Sequence, residues 1–186
     1  MRVTGGEAKG RPIRGPGGHG IRPTSDRVRE ALFDVLGARV ADAVVLDGFA
    51  GTGAVGIEAL SRGAGRVVFV EASQAALRLI RENLKLHAWV GVGEVIPGAF
   101  ERALDVLEKR SERFSVIFLD PPYDATGLGI MLTRAARVLA PGGILVVEHR
   151  SSVEAPAPPV SGLRRFRTYH HGDSALTSFF PGPPDR

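Results

Sequence analysis

Cysteine is absent from the 186 residues. That excludes disulfides, thiolate metal sites and thiol nucleophiles, and it fits a reducing compartment. Lysine is nearly absent: Lys9, Lys85 and Lys109 are the only three, so arginine supplies the other 21 of the 24 basic residues. Aromatic residues are scarce, with one tryptophan, Trp89, and two tyrosines, Tyr123 and Tyr169. No apolar run approaches the about 20 residues needed to span a bilayer. The N-terminus carries charges and glycines where a signal peptide would have its apolar core. The expectation is a cytoplasmic protein with no membrane partner. The five histidines (His19, His87, His149, His170 and His171) show no metal-ligand spacing, so no metal is expected.

What is present describes an ordinary globular domain, 44% hydrophobic and 24% charged. The net charge is +4 and the pI about 10.1. Two readings of the arginine excess stay open, a GC-rich coding sequence or a polyanionic partner. Strand and helix patterns alternate along the chain. Strands are expected at 43–47, 66–71, 92–97, 114–120 and 144–148, and helices from Thr24/Ser25, at 54–61, 73–86, 100–109 and 128–139. A turn at Pro141-Gly142-Gly143 precedes the fifth strand. A hairpin, 163–170 and 175–180 around His171-Gly172-Asp173-Ser174, closes the fold. The fold class is α/β, a doubly wound, mostly parallel seven-stranded sheet with a C-terminal antiparallel hairpin and a short N-terminal extension. Residues 1–23 read as a basic arm or hairpin, 24–181 as the main domain and 182–186 as a tail.

Two segments carry chemistry. The first is Asp120-Pro121-Pro122-Tyr123, at the carboxyl end of an apolar strand, where open α/β sheets bind ligands. Proline has no N–H, so this turn presents acceptors beside an aromatic ring, suited to a planar group bearing an amine. The second is Asp47-Gly48-Phe49-Ala50-Gly51-Thr52-Gly53, running on to Gly56, which joins the first strand to its helix. Gly51, Gly53 and Gly56 match G-x-G-x-x-G, a turn that brings backbone close to a ligand at a helix N-terminus. Glu71, followed by Ala72, ends the second strand at the spacing of a ribose-binding acid. NAD-dependent dehydrogenases share the glycine pattern. Asp47, however, stands where it either meets a cationic cofactor or caps the loop's N–H groups, and the second half of the sheet offers Asp-Pro-Pro-Tyr. S-adenosylmethionine fits both features.

On these residues the chain resembles a class I S-adenosylmethionine-dependent methyltransferase. More closely, it resembles the bacterial family that methylates N2 of one guanine in small-subunit (16S) ribosomal RNA. The resemblance runs through Arg2–Gly6 with Lys9-Gly10-Arg11, Arg22–Phe33, Leu46–Gly53, Gly56–Ala64, Asp120–Tyr123 and Gly143–Glu148. It implies Asp120, Pro121, Pro122 and Tyr123 as catalytic residues. It implies a cofactor site at 47–53, Gly56, Glu71 and Ala72, with Gly98, Ala99 and Phe100 where many methyltransferases have an acid for the adenine amine. Lys9, Arg11 and Arg14 suit RNA phosphate or are a solvated face. Arg22, Thr24 and Arg27 are open to RNA, to the cofactor's carboxylate or to plain helix capping. Arg164, Arg165 and Arg167 read as surface charge, and Trp89 as packing. The implied partner is 16S rRNA, in the small subunit or an assembly intermediate, met by a monomer. The competing readings are a DNA adenine-N6 methyltransferase, a protein glutamine methyltransferase, which usually carries Asn at the position of Asp120, and a non-catalytic RNA-binding ribosome-assembly factor.

Overall fold

A computed structural model describes residues 1–16, 26–122, 127–153 and 162–182. The elements are α1 (Asp26–Leu36), a 3₁₀ turn (Gly37–Val40), β1 (Val44–Asp47), α2 (Ala54–Ser61), β2 (Arg66–Glu71), α3 (Gln74–Leu86), β3 (Gly93–Pro97), α4 (Phe100–Lys109), β4 (Phe114–Leu119), α5 (Leu128–Ala136), β5 (Leu139–Arg150), β6 (Leu163–His171) and β7 (Ser174–Pro181). The seven strands form one sheet in the order β3-β2-β1-β4-β5-β7-β6. The first five are parallel, and β7 and β6 add antiparallel at the end. The expected fold class is observed. Among the described residues no helix is long and apolar enough to cross a membrane.

Both faces of the sheet are covered, which is why the central strands read as unbroken apolar runs. Strand alternation divides the core in two. Val45, Val67, Phe69, Val116, Phe118, Ile144 and Val146 join residues of α1, α2 and α3 on one face. Leu46, Val68, Val70, Ile117, Leu119, Leu145 and Val147 join α4 and α5 on the other. Residues 1–16 belong to the first layer. Val3, Ala8 and Ile13 are buried, and the segment doubles back on itself through Val3 N–H to the Arg11 carbonyl (3.0 Å) and Gly10 N–H to the Val3 carbonyl (2.8 Å).

The structure corrects two boundaries. The last helix stops at Ala136 instead of Leu139. Pro141-Gly142-Gly143 is not a turn ahead of the fifth strand but lies inside it. β5 pairs with β4 through Leu139↔Phe114 and again through Ile144↔Val116, and the surplus residues are taken up in a bulge. Pro141 has no N–H to give a ladder and Gly142 sits at φ 74, so the chain buckles without leaving the sheet. The expected start of α1 at Thr24/Ser25 lies outside the described residues.

Candidate active site

The order β3-β2-β1-β4-β5 reverses direction between β1 and β4. This is the switch point at which connections diverge to opposite faces and leave a crevice beyond the carboxyl ends of the strands. Asp47 ends β1, Glu71 ends β2, and Asp120-Pro121-Pro122 follows β4. The register Asp47↔Phe118 and Asp47↔Phe69 brings all three acids to this rim.

The glycine loop is stitched to its neighbours by backbone. Gly48 N–H donates to the Phe118 carbonyl (2.9 Å) and Ala50 N–H to the Val70 carbonyl (3.0 Å), tying the loop to both flanking strands. Gly51 N–H donates to Glu71 Oε2 (2.7 Å), and Ser73 N–H to Glu71 Oε1 (2.7 Å). Gly53, at φ 78, precedes α2 in the left-handed region that an L side chain adopts only under strain. Gly56 lets α2 press onto β2: a Cβ there would run into the Phe69 ring. Thr52 is buried, and its carbonyl accepts from Asn83 Nδ2 (3.0 Å).

Asp47 is 1% exposed and accepts the Gly56 N–H at Oδ2 (3.0 Å). Burial pushes its carboxyl up to about 7; the Gly56 hydrogen bond pulls the other way, and nearby Glu71 adds to the rise. A carboxylate beneath the start of α2 already answers the positive end of that helix. Added negative charge there is disfavoured and added positive charge is favoured.

Phe49 is half-buried, its ring 5.1 Å from that of buried Phe100 at 41°. Gly98, at φ 131, donates its N–H to the Glu71 carbonyl (2.9 Å), so that group is already committed. Ala99 and Phe100 open α4, which has no side-chain cap. Ala72 is exposed beside Glu71. Asp120 is half-buried, Pro121 buried and Pro122 exposed. Tyr123 lies outside the described residues. Among the described residues no His, Cys, Asp and Glu cluster is suited to a metal.

The basic candidates are placed elsewhere. Lys9 and Arg11 are exposed on the N-terminal hairpin. Arg11 donates to the Leu86 carbonyl (2.9 Å) and Arg14 pairs with Glu82 (3.0 Å), so both lean on α3. Arg27 is exposed in the first turn of α1. Arg22 and Thr24 lie outside the described residues.

Two groups that support the site escaped the sequence reading. Asn83, fully buried, holds Arg14 N–H (2.8 Å), the Arg14 carbonyl (3.0 Å) and the Thr52 carbonyl at once, lashing the N-terminal segment to the glycine loop. Its signal was an amide on the apolar stripe Ala76, Leu77, Ile80, Leu84 of α3. Arg29 and Glu58, both buried, pair at 3.3 Å. Glu58 also accepts from Thr4 N–H (2.8 Å), Thr4 Oγ1 (2.9 Å) and Arg62 Nε (2.8 Å), and Arg29 donates to the Arg2 carbonyl (2.6 Å).

Residues 1–180 match the family model described as conserved hypothetical protein 95. A Bacillus subtilis protein provisionally named an rRNA methyltransferase is 39% identical over 158 residues, 84% of this chain and 86% of its own. Ribosomal RNA small subunit methyltransferase D of Escherichia coli is 37% identical over 123 residues, 66% of this chain and 60% of its own. The solved structure of an E. coli protein assigned as a methyltransferase superposes with a TM-score of 0.83 at 31% identity, covering 97% of each chain.

Proposed function

The chain belongs to the conserved hypothetical protein 95 family, that of small-subunit rRNA methyltransferase D, and from that premise we propose that it methylates the exocyclic N2 amine of a guanine in 16S rRNA, using S-adenosylmethionine, in the cytoplasm. The observation that carries the reading is the set of acids at the switch point: buried Asp47 under the glycine loop, Glu71 against it and Asp120 across it. A dinucleotide needs free loop N–H groups for its pyrophosphate. Here Gly51 and Gly56 give theirs to carboxylates and Gly53 gives its own to the Ala50 carbonyl. That donor set suits a cationic ligand.

The residues fit the cofactor. Asp47 would face its positive charge, which favours the ionised carboxylate and draws the Asp47 pKa down from about 7. Glu71, fixed by Gly51 and Ser73, keeps lone pairs for ribose hydroxyls. The Phe49 and Phe100 rings and the uncapped start of α4 would receive the adenine. When bound, S-adenosylmethionine supplies an electrophilic methyl, whose bond to sulfur breaks with its electron pair as the acceptor lone pair takes the carbon.

Asp120 and the Pro121 carbonyl would accept the two N–H bonds of the target amine. Its lone pair is delocalised into the ring, and two acceptors favour the pyramidal nitrogen and the positive charge that appears only in the transition state. The proton becomes acidic once the methyl has arrived, so Asp120 need not be a strong base. Tyr123 is the ring in this motif for stacking a base drawn out of its helix.

The test offers purified protein and methyl-labelled S-adenosylmethionine three acceptors: small subunits from cells lacking the gene, the same RNA stripped of protein, and duplex DNA. Label mapped to guanine N2 of 16S rRNA is expected. Label only at adenine N6 of DNA, or none in any acceptor, overturns the proposal.

A further inference from the structure

We propose that the outer face of β6, together with Arg39, is a second contact surface for single-stranded RNA, about 14 Å across the sheet from Asp120 at the strand spacing of about 4.8 Å. The inference rests on the rRNA reading above and adds where the substrate lies outside the crevice.

β6 is one of the two edge strands of the sheet, opposite β3. Its residues Arg164-Arg165-Phe166-Arg167-Thr168-Tyr169-His170-His171 contain no acid. A bulge between Arg165 and Arg167 makes Phe166 the residue without a cross-strand partner. The bulge shifts the parity of the strand. Arg164 pairs with Phe180, Arg167 with Ser178 and Tyr169 with Leu176, so arginines and tyrosine share the face that carries Phe180. The Arg167 guanidinium stands 5.8 Å from the centroids of both Phe166 and Tyr169, and Arg39 stands 5.4 Å from that of Phe180. Phe166 meets Phe180 edge-on at 5.3 Å. Between this face and the 3₁₀ turn lies a cavity of about 350 Å³, floored by Val35 and Ile144.

Phe166 is 57% exposed, and among the described residues it is the one Phe, Tyr or Trp ring left so. Charges on an edge strand are a common guard against sheet extension, which accounts for arginines but not for an exposed phenylalanine among them. Among the described residues Arg39, Arg164 and Arg167 form no ion pair. Cations without counter-charge beside one exposed ring and two half-buried ones are the chemistry of a single-strand platform, where guanidiniums take phosphate and rings take base faces regardless of sequence. The bulge interrupts the edge and works against an added protein strand. The direction is also right. β6 runs parallel to β5, and the pairings Leu119↔Val147, Val147↔Thr177 and Thr177↔Thr168 set Tyr169 level with Asp120. RNA lying along β6 therefore reaches the rim of the crevice.

Fluorescence anisotropy with a labelled 12-nucleotide single-stranded RNA, run beside methyl transfer to protein-free 16S rRNA and to small subunits, tests this. F166A is expected to weaken the RNA about tenfold, as loss of one stacked base does. R164E/R167E is expected to weaken it at least as much and to reduce the slope of log Kd against log salt by about one to two. Calorimetric binding of S-adenosylmethionine should match wild type in both. Wild-type protein that binds the RNA and methylates, with both variants unchanged in both assays, overturns the inference alone. Loss confined to subunits, with RNA binding intact, assigns the face to a ribosomal protein and overturns it. Failure of the wild type to bind the 12-mer also overturns it. Wild type that methylates neither acceptor, while the variants still lose RNA affinity, sinks the proposed activity and supports this face.

Discussion

The parallel half of the sheet and its antiparallel edge handle charge in opposite ways. Around β1 and β2 the acids are wholly or half buried and satisfied from within: Asp47 by Gly56, half-buried Glu71 by Gly51 and Ser73, Glu58 by Thr4 and Arg62. Along β6 the arginines are exposed, and Arg167 lies against the rings of Phe166 and Tyr169. A buried, internally bonded charge cannot be removed without loosening the loop it holds, so substitutions there read first as stability. An exposed guanidinium contributes little to folding, so substitutions there read as binding. The first arrangement holds a small ligand in one pose; the second tolerates a long, mobile polyanion.

The comparison can be broken where its predicted effects are largest. Glu58→Ala takes from fully buried Arg29 its buried carboxylate and leaves it only the exposed Asp26, and a loss of about 3–5 kcal/mol is expected in urea unfolding. A loss under about 1 kcal/mol would mean this network behaves like a surface pair. Gly56→Ala drives a methyl into the Phe69 ring, and overpacking of that kind costs about 1–3 kcal/mol; the same denaturation curves read it.

Asp47 gives a signature in pH. Its folded-state pKa, about 7, lies above the ordinary 3.8, so the native protein binds the extra proton in between. Its contribution to stability is full below pH 4 and is lost as pH rises through 7. Asp47→Asn should remove that decline, so the stability of wild type relative to the variant should fall between pH 4 and 8. A flat difference would show that burial does not perturb the group. The smallest effect sharpens the contrast: R164E/R167E, on the exposed strand, should shift unfolding stability by no more than about 0.5 kcal/mol per site.

The order of elements was readable because strands covered on both faces give unbroken apolar runs, and Gly and Pro punctuate them. The bulge in β5 was not, because Pro141-Gly142-Gly143 signals a break in regular pairing without saying whether the chain leaves the sheet. In the crevice, residue types at strand ends announced Asp47, Glu71 and Asp120. The frame beneath did not show. Asn83 and Arg29 sit on helical stripes whose neighbours are apolar, and their partners, the Thr52, Arg14 and Arg2 carbonyls, are backbone groups with no letter of their own. The sequence reads the face of β6 as plain surface charge. Which of its side chains are neighbours depends on a bulge between Arg165 and Arg167, and one extra residue in a strand leaves no periodic trace.

The most direct test of the division between a cofactor half and an acceptor half is Asp120→Ala, with S-adenosylmethionine affinity measured by calorimetry and methyl transfer by single turnover on small subunits lacking the modification. The account predicts unchanged affinity and transfer slowed by about 10²–10³, the cost of losing one transition-state acceptor. Parallel loss of affinity and transfer would contradict it, placing Asp120 in the cofactor site instead of against the target amine.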